Sequence, residues 1–299
     1  MVGAMTARML AVPVAGGELA VAVHEPAGEP IGTVLLIHGI TASHRAWDSV
    51  VPELDGMRII APDLRGRGRS RDVVGGAGFA AHADDLAAVL DALDVDRALV
   101  VGHSMGAFVA VVLAHRHPDR VSRLLLVDGG LPLAVPEGIG LDALIAAVLG
   151  PTAARLSMRF ASTDDYLEFW RRHPAFPEPW RPGLEEYFAY DLVDDGEGML
   201  RPATRYETAA SDTADMTAGT ALPAALAALT HPARLVTVPR GLQNEPPGLY
   251  APEHLATVLA GLPGIAHERL DGFNHYTIVM SPAGAREVAE RVSAEQAAV

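Results

Sequence analysis

Short, largely apolar runs spaced along the chain constrain its fold most: TVLLI at 33–37, MRIIA at 57–61, ALVVG at 98–102 and SRLLLV at 122–127. Runs of this length without alternation are expected for strands buried on both faces. Between them lie helical patterns. Residues 80–93 place Ala83, Leu86, Ala87, Leu90 and Leu93 on one stripe, and residues 105–117 form a second apolar helix that Pro118 ends. Strands alternating with helices imply right-handed crossovers and a mainly parallel, doubly wound sheet with helices on both faces, the α/β class. Residues 9–23, with Gly16-Gly17 in their middle, predict two antiparallel strands joined by a tight turn. The alternation resumes late, with RLVTV at 234–238, a helix over 252–262, a strand near 266–270 and a terminal helix from Pro282.

Residues 130–230 do not fit this alternation and carry helical, proline-rich and acidic stretches. They are expected to form an inserted, mostly helical cap, with 1–129 and 231–299 as the core. Nine of the sixteen aromatic residues fall between Phe160 and Tyr190. They can build the cap's own core, line an apolar pocket beneath it, or do both. The 299 residues carry 23 Lys+Arg against 37 Asp+Glu, a formal charge of −14, which argues against nucleic acid as a partner. Cysteine is absent, removing disulfides, thiolate metal sites and a cysteine nucleophile together. The N-terminal stretch is interrupted by Pro13, Gly16, Gly17 and Glu18, so no signal peptide is expected. The apolar stretch 98–114 is broken by Gly102-His103-Ser104, too early to span a membrane. A cytoplasmic protein is expected.

The break itself carries chemistry. Gly102-His103-Ser104-Met105-Gly106 fits G-x-S-x-G between a predicted strand and a predicted helix, the setting that motif requires. A sharp turn would hold Ser104 in a strained conformation at the strand's end, with the flanking glycines removing side chains that would clash. The following helix would point its N-terminal N–H groups at the same spot, which suits a developing oxyanion.

On these residues the sequence resembles the α/β-hydrolase family over nearly the whole chain outside the cap. Two further segments agree: His38-Gly39 directly after the run 33–37, and Asp63-Leu64-Arg65-Gly66-Arg67-Gly68-Arg69-Ser70 after 57–61, similar to the family's D-x-R-G-x-G-x-S loop. The resemblance implies oxyanion-hole N–H groups from Ile40 and Met105, a structural turn histidine at His38, and a mainly architectural loop at 63–70. It places the base at His275, in Asp271-Gly272-Phe273-Asn274-His275 before the last helix. The acid stays open. At the place where most of the family carries it stands Asn244, which has no charge, beside Glu245; Asp128, after the run 122–127, occupies the alternative place, and Asp271 or no acid are also possible. His115 and His117 lack the carboxylate or third ligand of a metal motif, so neither metal nor cofactor is expected.

A serine hydroxyl needs a base, and Ser104, His275 and Asp128 (alternatively Glu245) would form a Ser-His-acid set. The resemblance implies hydrolysis of an ester, lactone or thioester of a small to medium apolar molecule, the only partner expected. The alternatives are a carbon–carbon bond hydrolase, a cofactor-free lyase or oxygenase/perhydrolase, or a ligand-binding receptor with little turnover.

Overall fold

A computed structural model describes residues 5–134, 143, 154–177 and 179–299. Eight strands form one sheet: β1 (Thr6–Val14), β2 (Gly17–Glu25), β3 (Thr33–Ile37), β4 (Arg58–Pro62), β5 (Ala98–His103), β6 (Val121–Val127), β9 (Ala233–Thr237) and β10 (Ile265–Arg269). Their order is β1-β2-β4-β3-β5-β6-β9-β10. β1 and β2 pair antiparallel, as do β2 and β4, while every pair from β4 to β10 is parallel. The mainly parallel sheet read from the sequence is present, with its antiparallel pair at one edge.

Each central strand sorts its side chains onto two faces with period two. Leu35, Ile37, Val100, Leu124 and Leu126 join the apolar cluster that holds helices α1 (Phe79–Ala92) and α2 (Met105–Arg116). Val34, Leu36, Val101, Leu125 and Val127 join a second cluster on the opposite face, with Val288 and Val292 of the terminal helix α9 (Pro282–Gln296). This double burial explains why these strands read as unbroken apolar runs.

Of the segment expected as a cap, residues 135–142, 144–153 and 178 lie outside the described residues. The described remainder contains helices α3 (Thr163–Arg171), α4 (Leu184–Tyr190), α5 (Tyr206–Ala218) and α6 (Ala221–Ala227). Phe160, Tyr166, Trp170, Phe176 and Phe188 pack together in the second cluster, with Trp170 and Phe188 stacked at 4.4 Å between centroids. Ala209, Met216, Leu222 and Leu226 instead belong to the cluster of α1 and α2. A small hairpin, β7 (Leu192–Asp194) with β8 (Leu200–Pro202), adds strand to a segment read as mostly helical. Its turn is built by side chains that bond the backbone: Asp194 accepts from Gly196 N–H at 2.6 Å, and Asp195 accepts from Glu197 and Met199 N–H. No helix among the described residues is long and apolar enough to cross a membrane.

Candidate active site

Ser104 sits between β5 and α2 with φ 55° and ψ −126°, a backbone state that side chains other than glycine rarely adopt. Its neighbours leave no alternative. A Cβ on Gly102 would lie 2.3 Å from the Gly106 carbonyl oxygen, and one on Gly106 would lie 2.1 Å from that of Ile37. On the far side, Gly129 brings its Cα against the Ser104 carbonyl, where a Cβ would approach to 2.2 Å. The turn is therefore clamped between β3 and the end of β6.

His275 lies in the loop before the short helix α8 (Thr277–Met280). Two hydrogen bonds fix its backbone: its N–H donates to the Arg240 carbonyl at 2.9 Å, and its carbonyl accepts from His103 Nε2 at 2.7 Å. His103 is fully buried, and burial drives its pKa well below the usual imidazole range, so it stays neutral as a structural donor. His275 is 2% exposed, and its Nδ1 donates to Asp128 Oδ2 at 2.6 Å. Asp128 is fully buried at the end of β6 with φ 45°. Its place follows from the sheet: Val127 pairs with Val236, so the end of β6 lies beside the end of β9, whose following loop supplies Arg240.

The other acid candidates go elsewhere. Glu245 accepts from the Gln243 N–H at 2.7 Å and closes its own turn. Asn244, with φ 62°, accepts from Asn274 Nδ2 at 3.3 Å. No hydrogen bond joins Asp271 to His275 among the described residues.

Ser104, His275 and Ile40 line one cavity of about 30 Å³, roofed by Trp170, Phe176 and Tyr187. That space suits little more than a water molecule. A larger groove of about 480 Å³, lined by Phe160, Phe169 and His173, includes neither Ser104 nor His275. Ile40 and Met105 flank the serine, and Gly39 lies so close that a Cβ there would meet Ser104 Oγ at 3.5 Å.

His38 is buried; Leu64 N–H donates to its Nε2 at 3.0 Å, and its Nδ1 donates to the Gly39 carbonyl at 2.8 Å. That pair requires the neutral ring. Burial, opposed by Asp63, lowers its pKa to about 4. Asp63 accepts from His44, from Arg69 N–H and from the Tyr190 hydroxyl, so it ties α4 to the loop after β4. Arg65 makes a two-pronged ion pair with Asp85, both contacts at 2.7 Å.

Arg67 has a role that the sequence pattern did not single out. Fully buried, it donates Nε to the Ile40 carbonyl at 2.8 Å, reaches the Met105 sulfur at 3.7 Å and pairs with Asp212 of α5 at 2.5 Å. It braces both residues that the sequence resemblance implies for the oxyanion hole. The one signal available was a cation inside a glycine-rich loop, and its partner lies 145 positions away. His117 Nε2 contacts Asp84 Oδ1 at 2.8 Å, and the described residues contain no cluster of three or more metal-ligating side chains.

A strained serine at a strand–helix turn and a buried carboxylate–imidazole pair placed by later strands, on a mainly parallel sheet, are features of the α/β-hydrolase architecture. Residues 32–174 match the family model described as alpha/beta hydrolase fold, and the chain has that fold. It is 35% identical over 190 residues to 2-hydroxymuconate semialdehyde hydrolase of Pseudomonas sp. strain CF600, covering 58% of this chain and 53% of that one. It is 39% identical over 127 residues to Lipase LipV of Mycobacterium tuberculosis, covering 41% and 48%. The chain spans about half or less of the length of the curated relatives it matches. Among solved structures, E-2-(acetamidomethylene)succinate hydrolase superposes with a TM-score of 0.76 at 22% identity over 97% of this chain and 98% of that one, a likeness of fold.

Proposed function

We propose that this chain is a serine hydrolase that cleaves a carboxylic ester, lactone or thioester of an uncharged, apolar small molecule. The observation that carries the reading is the 2.6 Å Asp128–His275 contact at the wall of the cavity that Ser104 also lines. In this mechanism His275 Nε2 takes the Ser104 proton as Oγ attacks the carbonyl carbon. The negative charge that develops on the carbonyl oxygen is held by the N–H groups of Ile40 and Met105. Asp128 fixes the tautomer that leaves Nε2 free and stabilises the imidazolium. His275 then returns the proton to the departing alcohol or thiol. A water, deprotonated by the same imidazole, resolves the acyl-enzyme to acid and free serine. The cavity is water-sized, so substrate entry requires the aromatic roof of Trp170, Phe176 and Tyr187 to move.

The relative from Pseudomonas sp. favours a second reading, carbon–carbon bond hydrolysis by the same residues. Charge separates the two. A further relative is named 2-hydroxy-6-oxo-2,4-heptadienoate hydrolase, for a carboxylate substrate. Among the described residues the cavity wall holds no arginine, the chain has no lysine, and residues 135–153 contain no arginine, lysine or histidine. A carboxylate buried there would be unpaired, which is costly. The test is a comparison of kcat/KM for p-nitrophenyl butyrate, the hemisuccinate p-nitrophenyl ester and 2-hydroxy-6-oxo-2,4-heptadienoate. The neutral ester should lead by at least ~100-fold; turnover of the dienoate above the ester would establish the second reading instead.

A further inference from the structure

A second pocket, of about 570 Å³, opens where the start of α5 meets the loop after β4. Four arginines line it: Arg71 just after the 3₁₀ turn Gly68–Ser70, Arg159 ahead of α3, Arg201 on β8 and Arg205 at the N-cap of α5. Such a concentration of cations is unexpected in a chain of charge −14. Arg159 is committed to Asp195 at 3.1 Å. Arg71, Arg201 and Arg205 have no ion-pair partner among the described residues, and only Asp72 and Glu207 oppose them at the rim.

Two buried polar atoms there also lack partners. Thr204, 2% exposed, lines the pocket with an unbonded Oγ1, and the Nε of Arg71 is buried without an acceptor. Buried polar groups are normally satisfied, so unpaired ones in a pocket point to a missing ligand. The pocket also receives the first turn of α5, a 13-residue helix whose free N–H groups and partial positive charge favour an anion. Burial lowers the pKa of Arg71, and the charges of Arg201 and Arg205 lower it further, a repulsion that a bound anion would relieve.

We propose that this pocket binds a phosphate group, free or carried on a small monoester, with the guanidinium groups of Arg71, Arg201 and Arg205, the Thr204 hydroxyl and the N-terminus of α5 as its donors. Three guanidinium groups, one from the loop after β4 and two from residues 201–205, suit the several acceptor oxygens of a tetrahedral dianion better than a planar carboxylate. The pocket volume lies in the range of small-ligand sites, so there is room for the organic part of a monoester. The Arg205 N–H donates to the Gly66 carbonyl at 2.9 Å, so an occupant would rest on the junction between α5 and the core loop.

The test is isothermal titration with inorganic phosphate, adenosine 5′-monophosphate and adenosine at fixed ionic strength. Saturable one-to-one binding of a phosphate-bearing probe and none of adenosine is expected. Tighter binding of the monophosphate assigns a monoester; equal or tighter binding of inorganic phosphate assigns the free ion. Arg71→Gln combined with Arg201→Gln should weaken binding by at least about tenfold. Thr204→Val, which keeps shape, should weaken it several-fold, while p-nitrophenyl butyrate hydrolysis stays unchanged in both. Absence of saturable binding by either phosphate probe, or affinities unaltered by these substitutions, overturns the proposal.

Discussion

Asp128→Asn tests the catalytic arrangement at its most informative contact. The carboxylate accepts from His275 Nδ1 at 2.6 Å, with Asp128 fully buried and His275 2% exposed. In the proposed reaction His275 takes up the serine proton, so a unit positive charge appears beside a unit negative one. At an effective dielectric constant near 20, that separation corresponds to about 6 kcal/mol. Asparagine keeps the shape and part of the dipole, so roughly two thirds of this, about 4 kcal/mol, is lost from the transition state. At 1.36 kcal/mol per decade that is a ~10³-fold fall in kcat. An amide that donates to Nδ1 also selects the wrong tautomer, which extends the expected loss toward ~10⁴-fold. Asp128 does not line the cavity, so KM should change little. Glu245→Gln touches only its own turn and should retain kcat within about threefold. Steady-state hydrolysis of p-nitrophenyl butyrate, with circular dichroism to establish folding, reads both variants. A folded Asp128→Asn enzyme with more than a tenth of wild-type kcat, or an equal loss in Glu245→Gln, would refute the reasoning.

Other predictions concern the scaffold. Asp212 is held at about 2, because Arg67 and His82 overcome the burial that would raise its pKa. Its stabilisation is therefore complete above the ordinary carboxylate value of 3.8 and lost as pH falls through about 2, worth about 2 kcal/mol across that window. Asp212→Asn should cost about 3–5 kcal/mol near neutral pH and flatten that acid limb, as measured by urea unfolding at a series of pH values; an unchanged acid limb contradicts the assignment. Gly106→Ala drives a Cβ to 2.1 Å from the Ile37 carbonyl and should destabilise by at least about 3 kcal/mol. Gly28→Ala meets nothing within 4 Å and should stay within about 1 kcal/mol, so similar denaturation midpoints for the two would count against the clamped turn.

Much of the fold was legible because β3, β5 and β6 are buried on both faces, which leaves apolar runs in the sequence, and because a strained serine turn demands glycine at 102 and 106. The partner of His275 was legible only as one of several candidates, with Asp128 set ahead of Glu245. Asp128 reaches His275 across 147 positions, and that contact depends on β6 lying beside β9, a matter of strand order that no local pattern records. The Asn244–Glu245 turn stood at the usual acid position, yet its hydrogen bonds run to Asn274 and Gln243. Arg67 was obscured for the same reason, since its buried partner Asp212 comes from a helix far along the chain. The β7–β8 hairpin did leave a local trace, Asp-Asp-Gly-Glu-Gly at 194–198, where the aspartates bond the turn backbone.

The central claim, that the hydroxyl of Ser104 is the attacking group, is tested most directly by intact mass spectrometry after treatment with a fluorophosphonate. Wild type that hydrolyses p-nitrophenyl butyrate should gain the mass of one adduct, while folded Ser104→Ala should gain none and lose turnover. An active wild type that remains unlabelled, or a Ser104→Ala variant that is labelled and active to the same extent, would contradict it.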